Sequence, residues 1–218
     1  VRMQRDKGTI AVGGREMVLS KNMQKLVAGS STIRKLFEEG IELAKEVGAE
    51  NVYDFSLGNP AAPVPEEVKK SIYDILENRN ANFVHCYMPN AGYPEVREKV
   101  AANLNKKYNS SFTKDDIIMT VGAAGGINCV LRSLLEPEDE VLCFAPFFGE
   151  YNSYVMNFGG NLKVVPADYE TFQLNVEEAD KYITERTKAV IINNPNNPSG
   201  VVYNKETLIR LQKMLEKA

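Results

Sequence analysis

A single histidine, His85, stands in the 218-residue chain, so at most one serine–histidine or cysteine–histidine nucleophilic device could form. Three cysteines, Cys86, Cys129 and Cys143, are odd in number, sit in apolar or mixed settings and show no Cys-x-x-Cys spacing. No metal site is therefore predicted, and reduced, structural thiols in a cytoplasm are expected. No apolar run approaches the roughly 20 residues of a membrane span. The opening VRMQRDKGTIAVGGREM is basic but lacks the apolar core that a secretory signal needs. Positive charge is not in surplus. The net charge is -3 and the pI near 5.4, with Lys and Arg scattered among Asp and Glu. That balance argues against nucleic acid or an anionic membrane as the main partner. Internal repeats and low-complexity segments are absent as well.

What is present is ordinary for a globular protein: 44% hydrophobic and 25% charged residues, enough for a substantial core. Residues 1–20 read as a poorly ordered leader. Residues 21–65 read as an N-terminal segment belonging to a small domain, with Ile33, Leu36, Phe37, Ile41, Ala44 and Val47 at helical spacing over 31–47. VYDFSLGNPAAPVP suggests a short strand running into an irregular passage. Pro65 with Glu66 and Glu67 opens a helix to about Glu77, because proline tolerates the first turn and acids suit the positive helix end. Another helix has Pro94 near its start. Beyond it the rhythm turns to strand and helix: a strand at 117–121, a helix at 124–135, a strand at 140–144, a short helix ending in glycines, then the strand LKVVPA. Asn175 with Glu178 resembles a capping box for a helix to about Glu185, KAVIINN is a fourth strand, and Asn204 caps a closing helix at 205–217. The strands Val141–Phe144 and Ala189–Ile192 are apolar throughout rather than alternating. The fold class expected is therefore α/β, a mainly parallel sheet with helices on both faces, formed within residues 66–218. Because so apolar a final strand is followed by only one helix, that domain is expected to be incomplete.

Ligands of open parallel α/β sheets bind beyond the carboxyl ends of the strands, and three loops in that position are chemically loaded. In TVGAAGG, small side chains let backbone N–H groups approach an anion at a helix start, and a phosphate is the natural guest. Gly122 has no glycine two residues on and no Gly-Lys-Ser/Thr follows, so this is neither a dinucleotide fingerprint nor a P-loop. Small residues here also suit plain helix–sheet packing. APFFGEY places Phe147, Phe148 and Tyr151 past a strand, where one ring is expected in the core and one free to stack on a planar ligand. NNPNNPSG is the most specific of the three. Its prolines fix the backbone so that Asn193 and Asn197 hold set directions, and a neutral amide donor aimed at a phenolate oxygen stabilises the anion without protonating it.

Phosphate cradle, aromatic plate and phenolate-directed amide together describe a site for pyridoxal 5′-phosphate (PLP). The chain resembles the class I/II aminotransferases of the fold-type-I PLP-dependent family over roughly residues 20–218, with SLGNP, YMPNAGYPEVREKVA, VGAAG, PFF and NNPNNPSG in order along the chain. The resemblance implies that Asn197 bonds the cofactor's 3-oxygen and helps place the substrate carboxylate, with Asn193 supporting the ring's surroundings. It implies phosphate contacts from Gly122, Ala123 and Ala124, and a stacking role for Phe148. Gly58 would meet the substrate carboxylate through its backbone. Tyr87 would reach the phosphate in the other subunit of a homodimer, and 31–47 would belong to the small domain that closes over substrate.

The departure is equally informative. The family's Schiff-base lysine, the aspartate that pairs with the pyridine nitrogen and the arginine for the α-carboxylate have no counterpart in this sequence, and Lys205, Lys213 and Lys217 lie on the closing helix as surface residues. The chain thus looks like the N-terminal half of an aminotransferase, with no catalytic residue of its own. The complete enzyme would exchange an amino group between an L-amino acid, of aspartate or aromatic type, and a 2-oxo acid. A β-lyase of the same family and a non-catalytic effector-binding module share these motifs and stay open as alternatives.

Overall fold

The structure, a computed structural model, describes residues 9–12, 15–21, 23–24, 32–53, 58 and 62–217. The chain divides into two compact units, residues 1–84 and 85–218. The division falls after Val84, whereas the sequence reading began the large domain at Glu66.

Within residues 1–20, read above as a leader, β1 (Thr9–Val12) and β2 (Arg15–Val18) pair antiparallel, with Thr9 opposite Val18 and Val12 opposite Arg15. Helix α1 spans Thr32–Val47. The strand expected in VYDFSLGNP falls mostly on residues outside those described; Val52 and Tyr53, which are described, have no regular structure. Helix α2 (Glu66–Asn78) starts with Pro65 as its cap and both glutamates in its first turn, and the short α3 (Ala81–Val84) follows. Neither helix buries a residue.

The second unit opens with α4 (Pro94–Tyr108), whose proline occupies the first turn as its missing N–H allows. Then come α5 (Gly122–Leu134), β3 (Glu140–Phe144), α6 (Glu150–Met156), β4 (Asn161–Val165), α7 (Val176–Ala179), β5 (Thr187–Ile191) and α8 (Lys205–Leu215). The three strands form a parallel sheet in the order β4-β3-β5, with Cys143 of β3 opposite Val164 of β4 and Ile191 of β5. All five residues of β3 are buried. Successive strand side chains point to opposite faces, and each face has its own cluster. Val141, Leu162, Ala189 and Ile191 pack with Leu131 and Leu135 at the end of α5 and Val155 of α6. Leu142, Phe144, Val165 and Val190 pack on the other side with Val176 and Ala179 of α7 and Leu211 of α8. The fold is α/β with helices on both faces of a parallel sheet.

Three sequence expectations need correction. Residues 117–121 form no strand: among the described residues, one backbone bond, from the Met119 N–H to Ala91 O at 3.0 Å, is all that joins them to a distant segment. Ile118 and Val121 remain 70% and 94% exposed. A strand needs a neighbour to satisfy its backbone groups, and β-propensity alone does not make one. The helix expected from Asn175 to Glu185 stops at Ala179, continues as a 3-10 turn over Asp180–Tyr182, and straightens at Ile183 to return to the sheet. Asn175 caps it by accepting from the Glu178 N–H at 3.2 Å, but Glu178 turns its carboxylate to Lys181 rather than back to the cap. Asn204 caps α8 through the Thr207 N–H at 2.7 Å. Of the thiols, Cys143 alone is buried, which pushes its pKa up to about 12; Cys86 and Cys129 are exposed, so a packing role holds only for Cys143.

Glu140 anchors the start of β3. It accepts from the Thr184 hydroxyl at 2.6 Å and faces Lys163 Nζ at 3.1 Å, and the Thr184 bond above all holds its carboxyl below the ordinary 4.5. A carboxyl depressed by folding stabilises the native state above its unfolded pKa and ceases to do so as pH falls through the folded one. E140Q is therefore expected to lower stability at neutral pH and to flatten the loss of stability below about pH 4.5, read from urea midpoints at pH 7, 4 and 3. L142A, which empties a fully buried position, is expected to cost about 2–5 kcal/mol in the same assay.

Candidate cofactor site

Strands β3 and β5 run parallel, with a register shift between Glu140 and Val141, so the loops that follow them leave at the same end of the sheet. One side chain ties those loops together. Asn196, 7% exposed, donates from Nδ2 to Pro146 O at 3.2 Å and to the Tyr203 hydroxyl at 2.8 Å. Its Oδ1 accepts from the Ser199 N–H and hydroxyl at 3.2 and 2.8 Å. Its own N–H donates to Val201 O, and its carbonyl accepts from the Gly200 N–H. Asn194 adds a further brace, accepting from the Tyr203 N–H at 2.9 Å. Burial raises the pKa of Tyr203, partly offset by the Asn196 bond, so the phenol stays a neutral partner.

The other two asparagines of the run face a different task. Asn193, half-buried, accepts from the Asn197 N–H at 3.0 Å and so fixes the backbone of its neighbour. The Asn197 side chain is exposed, and its amide has no partner among the described residues. The backbone of Asn197 is thus held while its side-chain amide is left free to bond.

Beyond β3, Phe147 is half-buried and lies near parallel to Tyr151, with centroids 6.5 Å apart. Phe148 is 38% exposed and meets Tyr151 edge-on at 5.7 Å and 83°. The buried Tyr151 sets both rings, and Phe148 is the one that presents surface.

Helix α5 packs on β3 through residues at its end and precedes the strand by a short turn, so it runs back along the sheet and starts toward the strands' carboxyl ends. Its first residue, Gly122, has φ of 68° and open space where a Cβ would stand. The cap residue Val121 offers no side-chain bond, so the first-turn N–H groups of Ala123 and Ala124, both exposed residues, are left for another acceptor.

Tyr87 lies in the second unit on the loop before α4, with its side chain fully exposed. Gly58 lies in the first unit, exposed, with nothing within 4 Å of a built Cβ. The structure therefore brings the Phe148 and Asn197 loops together through Asn196. That residue was passed over in favour of its neighbours in the sequence reading. The available signal was the tyrosine seven residues on, which a buried amide can bond. Among the described residues there is no group of three or more His, Cys, Asp or Glu placed to hold a metal ion, and no helix long and apolar enough to cross a membrane.

Fold and loops define an open-sheet α/β protein whose polar loops cluster beyond the strands' carboxyl ends. Residues 49–218 match the family described as aminotransferase class I and II. The chain is 34% identical over 171 residues to a probable aspartate/prephenate aminotransferase of Aquifex aeolicus, covering 77% of this chain and 42% of that one. It is 37% identical over 195 residues to aromatic-amino-acid aminotransferase 2 of Thermococcus litoralis, covering 88% and 47%. Among solved structures, an amino transferase from Eubacterium rectale superposes with a TM-score of 0.87 at 40% identity, covering 92% of this chain and 51% of that one. The Thermus thermophilus aspartate aminotransferase with maleate gives 0.79 at 30%, covering 91% and 50%. The chain belongs to the class I and II aminotransferases. It spans about half the length of the relatives it matches.

N196A is expected to leave Pro146 O and the Tyr203 hydroxyl short of a donor and to lower unfolding free energy by about 1–3 kcal/mol in urea titration. N196D, which keeps Oδ1 but loses both Nδ2 bonds, is expected to recover little of that loss.

Proposed function

We propose that this chain forms the N-terminal part of the active site of a PLP-dependent aminotransferase that passes an amino group from an L-amino acid of aspartate or aromatic type to a 2-oxo acid. The observation that carries the reading is the division of labour in residues 193–197: a free amide on Asn197 whose backbone is pinned by Asn193. The names of the relatives support the substrate class and favour amino transfer over elimination or effector binding.

The residues fit the cofactor. An uncapped helix start with open space at Gly122 suits a phosphate, the exposed Phe148 ring suits a planar heterocycle, and the Asn197 amide suits a phenolate oxygen. When bound, PLP supplies the electron sink that stabilises charge at the substrate α-carbon. The protein's part is placement. The N–H groups of Ala123 and Ala124 hold the phosphate, Phe148 stacks on the ring, and Asn197 donates to the 3-oxygen and orients the substrate carboxylate. Tyr87, exposed on its loop, serves the other subunit of a homodimer. The setting is cytoplasmic. None of these residues is placed to move a proton, so this chain binds and orients rather than reacts.

Titrating the 218-residue chain with PLP, followed by cofactor absorbance, tests the reading. N197A is expected to weaken PLP about tenfold, the value of one hydrogen bond to a charged acceptor, while leaving competition by inorganic phosphate unchanged. Equal PLP affinity in N197A and the parent chain would overturn it.

A further inference from the structure

The segment that leads into α5 has no sheet to hold it, yet it must deliver Gly122–Ala124 to a fixed place. Its support comes from one half-buried cation. The Arg97 side chain, on α4, is 12% exposed and donates from Nη1 to Lys114 O at 2.7 Å and to Ile117 O at 3.4 Å. Asp115 lies 3.9 Å away but is itself 77% exposed, so water screens that pair and the carbonyls bear most of the guanidinium's charge. The Arg97 Nε is buried with no partner among the described residues. Burying a cation so incompletely paired costs free energy, which a merely decorative arginine would avoid by turning to solvent.

Three further contacts carry the placement forward. The Met119 N–H donates to Ala91 O at 3.0 Å. Gly92, at φ of 93°, lets Met119 lie where a Cβ would stand 2.6 Å from its Cγ, so only glycine permits this approach. Thr120 then donates from its hydroxyl to Gly122 O at 3.0 Å, and the same hydroxyl lies 3.3 Å from where a Cβ of Gly126 would be. A continuous path thus runs from Arg97 through Ile117, Met119 and Thr120 to the first turn of α5.

We propose that Arg97 is a positioning residue for the anion cradle, acting through Ile117 and Thr120 on the N–H groups of Ala123 and Ala124. The inference rests on the reading of that helix start as the phosphate site of PLP. It makes the loop that carries Tyr87 and the cradle one mechanical unit, because Ala91, Gly92 and Arg97 follow Tyr87 closely in the chain.

The test compares PLP with pyridoxal, which lacks the phosphate, by equilibrium dialysis against the 218-residue chain. The variants are R97M, R97K (charge kept on a shorter side chain) and T120V (hydroxyl removed at constant shape). The parent is expected to prefer PLP. R97M and T120V are expected to lose roughly five- to tenfold of that preference, as breaking supporting hydrogen bonds of a charged group would predict. Pyridoxal affinity is expected to stay unchanged, and amide exchange in R97M to quicken across 117–124 but not in β3 or β5. If R97M keeps the full preference, the positioning inference fails and the cradle reading survives. If R97K matches the parent while R97M does not, charge rather than placement is the cause and the inference fails. A parent chain with no preference for PLP removes the cradle reading and the inference with it. Should R97M quicken exchange throughout the sheet, T120V decides alone: an unchanged preference overturns the proposal.

Discussion

Burial of all five side chains of β3 sets the terms for everything around that strand. A strand buried on both faces needs helices above and below it, and its backbone groups need a parallel neighbour on each side. β4 and β5 satisfy the second need. The first is met by α5 and α6 over Val141 and by α7 and α8 under Leu142 and Phe144. Because β3 and β5 run parallel, their following loops are forced to one end of the sheet, and chemistry can be assembled there from residues 50 apart in sequence.

At that end the four asparagines of the NNPNNPSG run do different work. Asn194 and Asn196 spend their amides on Tyr203, Pro146 and Ser199 and so build the loop. Asn193 spends its oxygen on the Asn197 backbone, and Asn197 spends nothing. A buried amide left unbonded would cost the loop more than a bond gains it, so Asn196 must be satisfied before the exposed Asn197 can be spared for a ligand. The neutral Tyr203 phenol beneath the loop belongs to the same arrangement.

The family and the α/β class were legible in the motifs and in the unbroken apolar runs of β3 and β5. The helix starts at Asn175 and Asn204 and the proline-opened α4 were legible too, because a cap is decided by a few adjacent residues. The run at 117–121 misled, since its residues suit a strand but pairing depends on a neighbour that local composition does not report. Asn196 and Arg97 were passed over for a related reason. Their bonds to Pro146 and Ile117 span 50 and 20 residues, and the nearer signal, Tyr203 seven residues on, exists for Asn196 alone.

The sequence by itself determined which residues could bind: small ones at a helix start, aromatic ones past a strand, amides locked between prolines. Those choices are matters of side-chain chemistry and local backbone preference, which act over a few residues. Tertiary structure alone decided which of them would be free to do so. Whether an amide is spent on Tyr203 or left for a ligand, and whether Phe147 or Phe148 shows its ring, depends on what the parallel sheet brings alongside. That competition for hydrogen bonds and burial is settled only when distant segments meet.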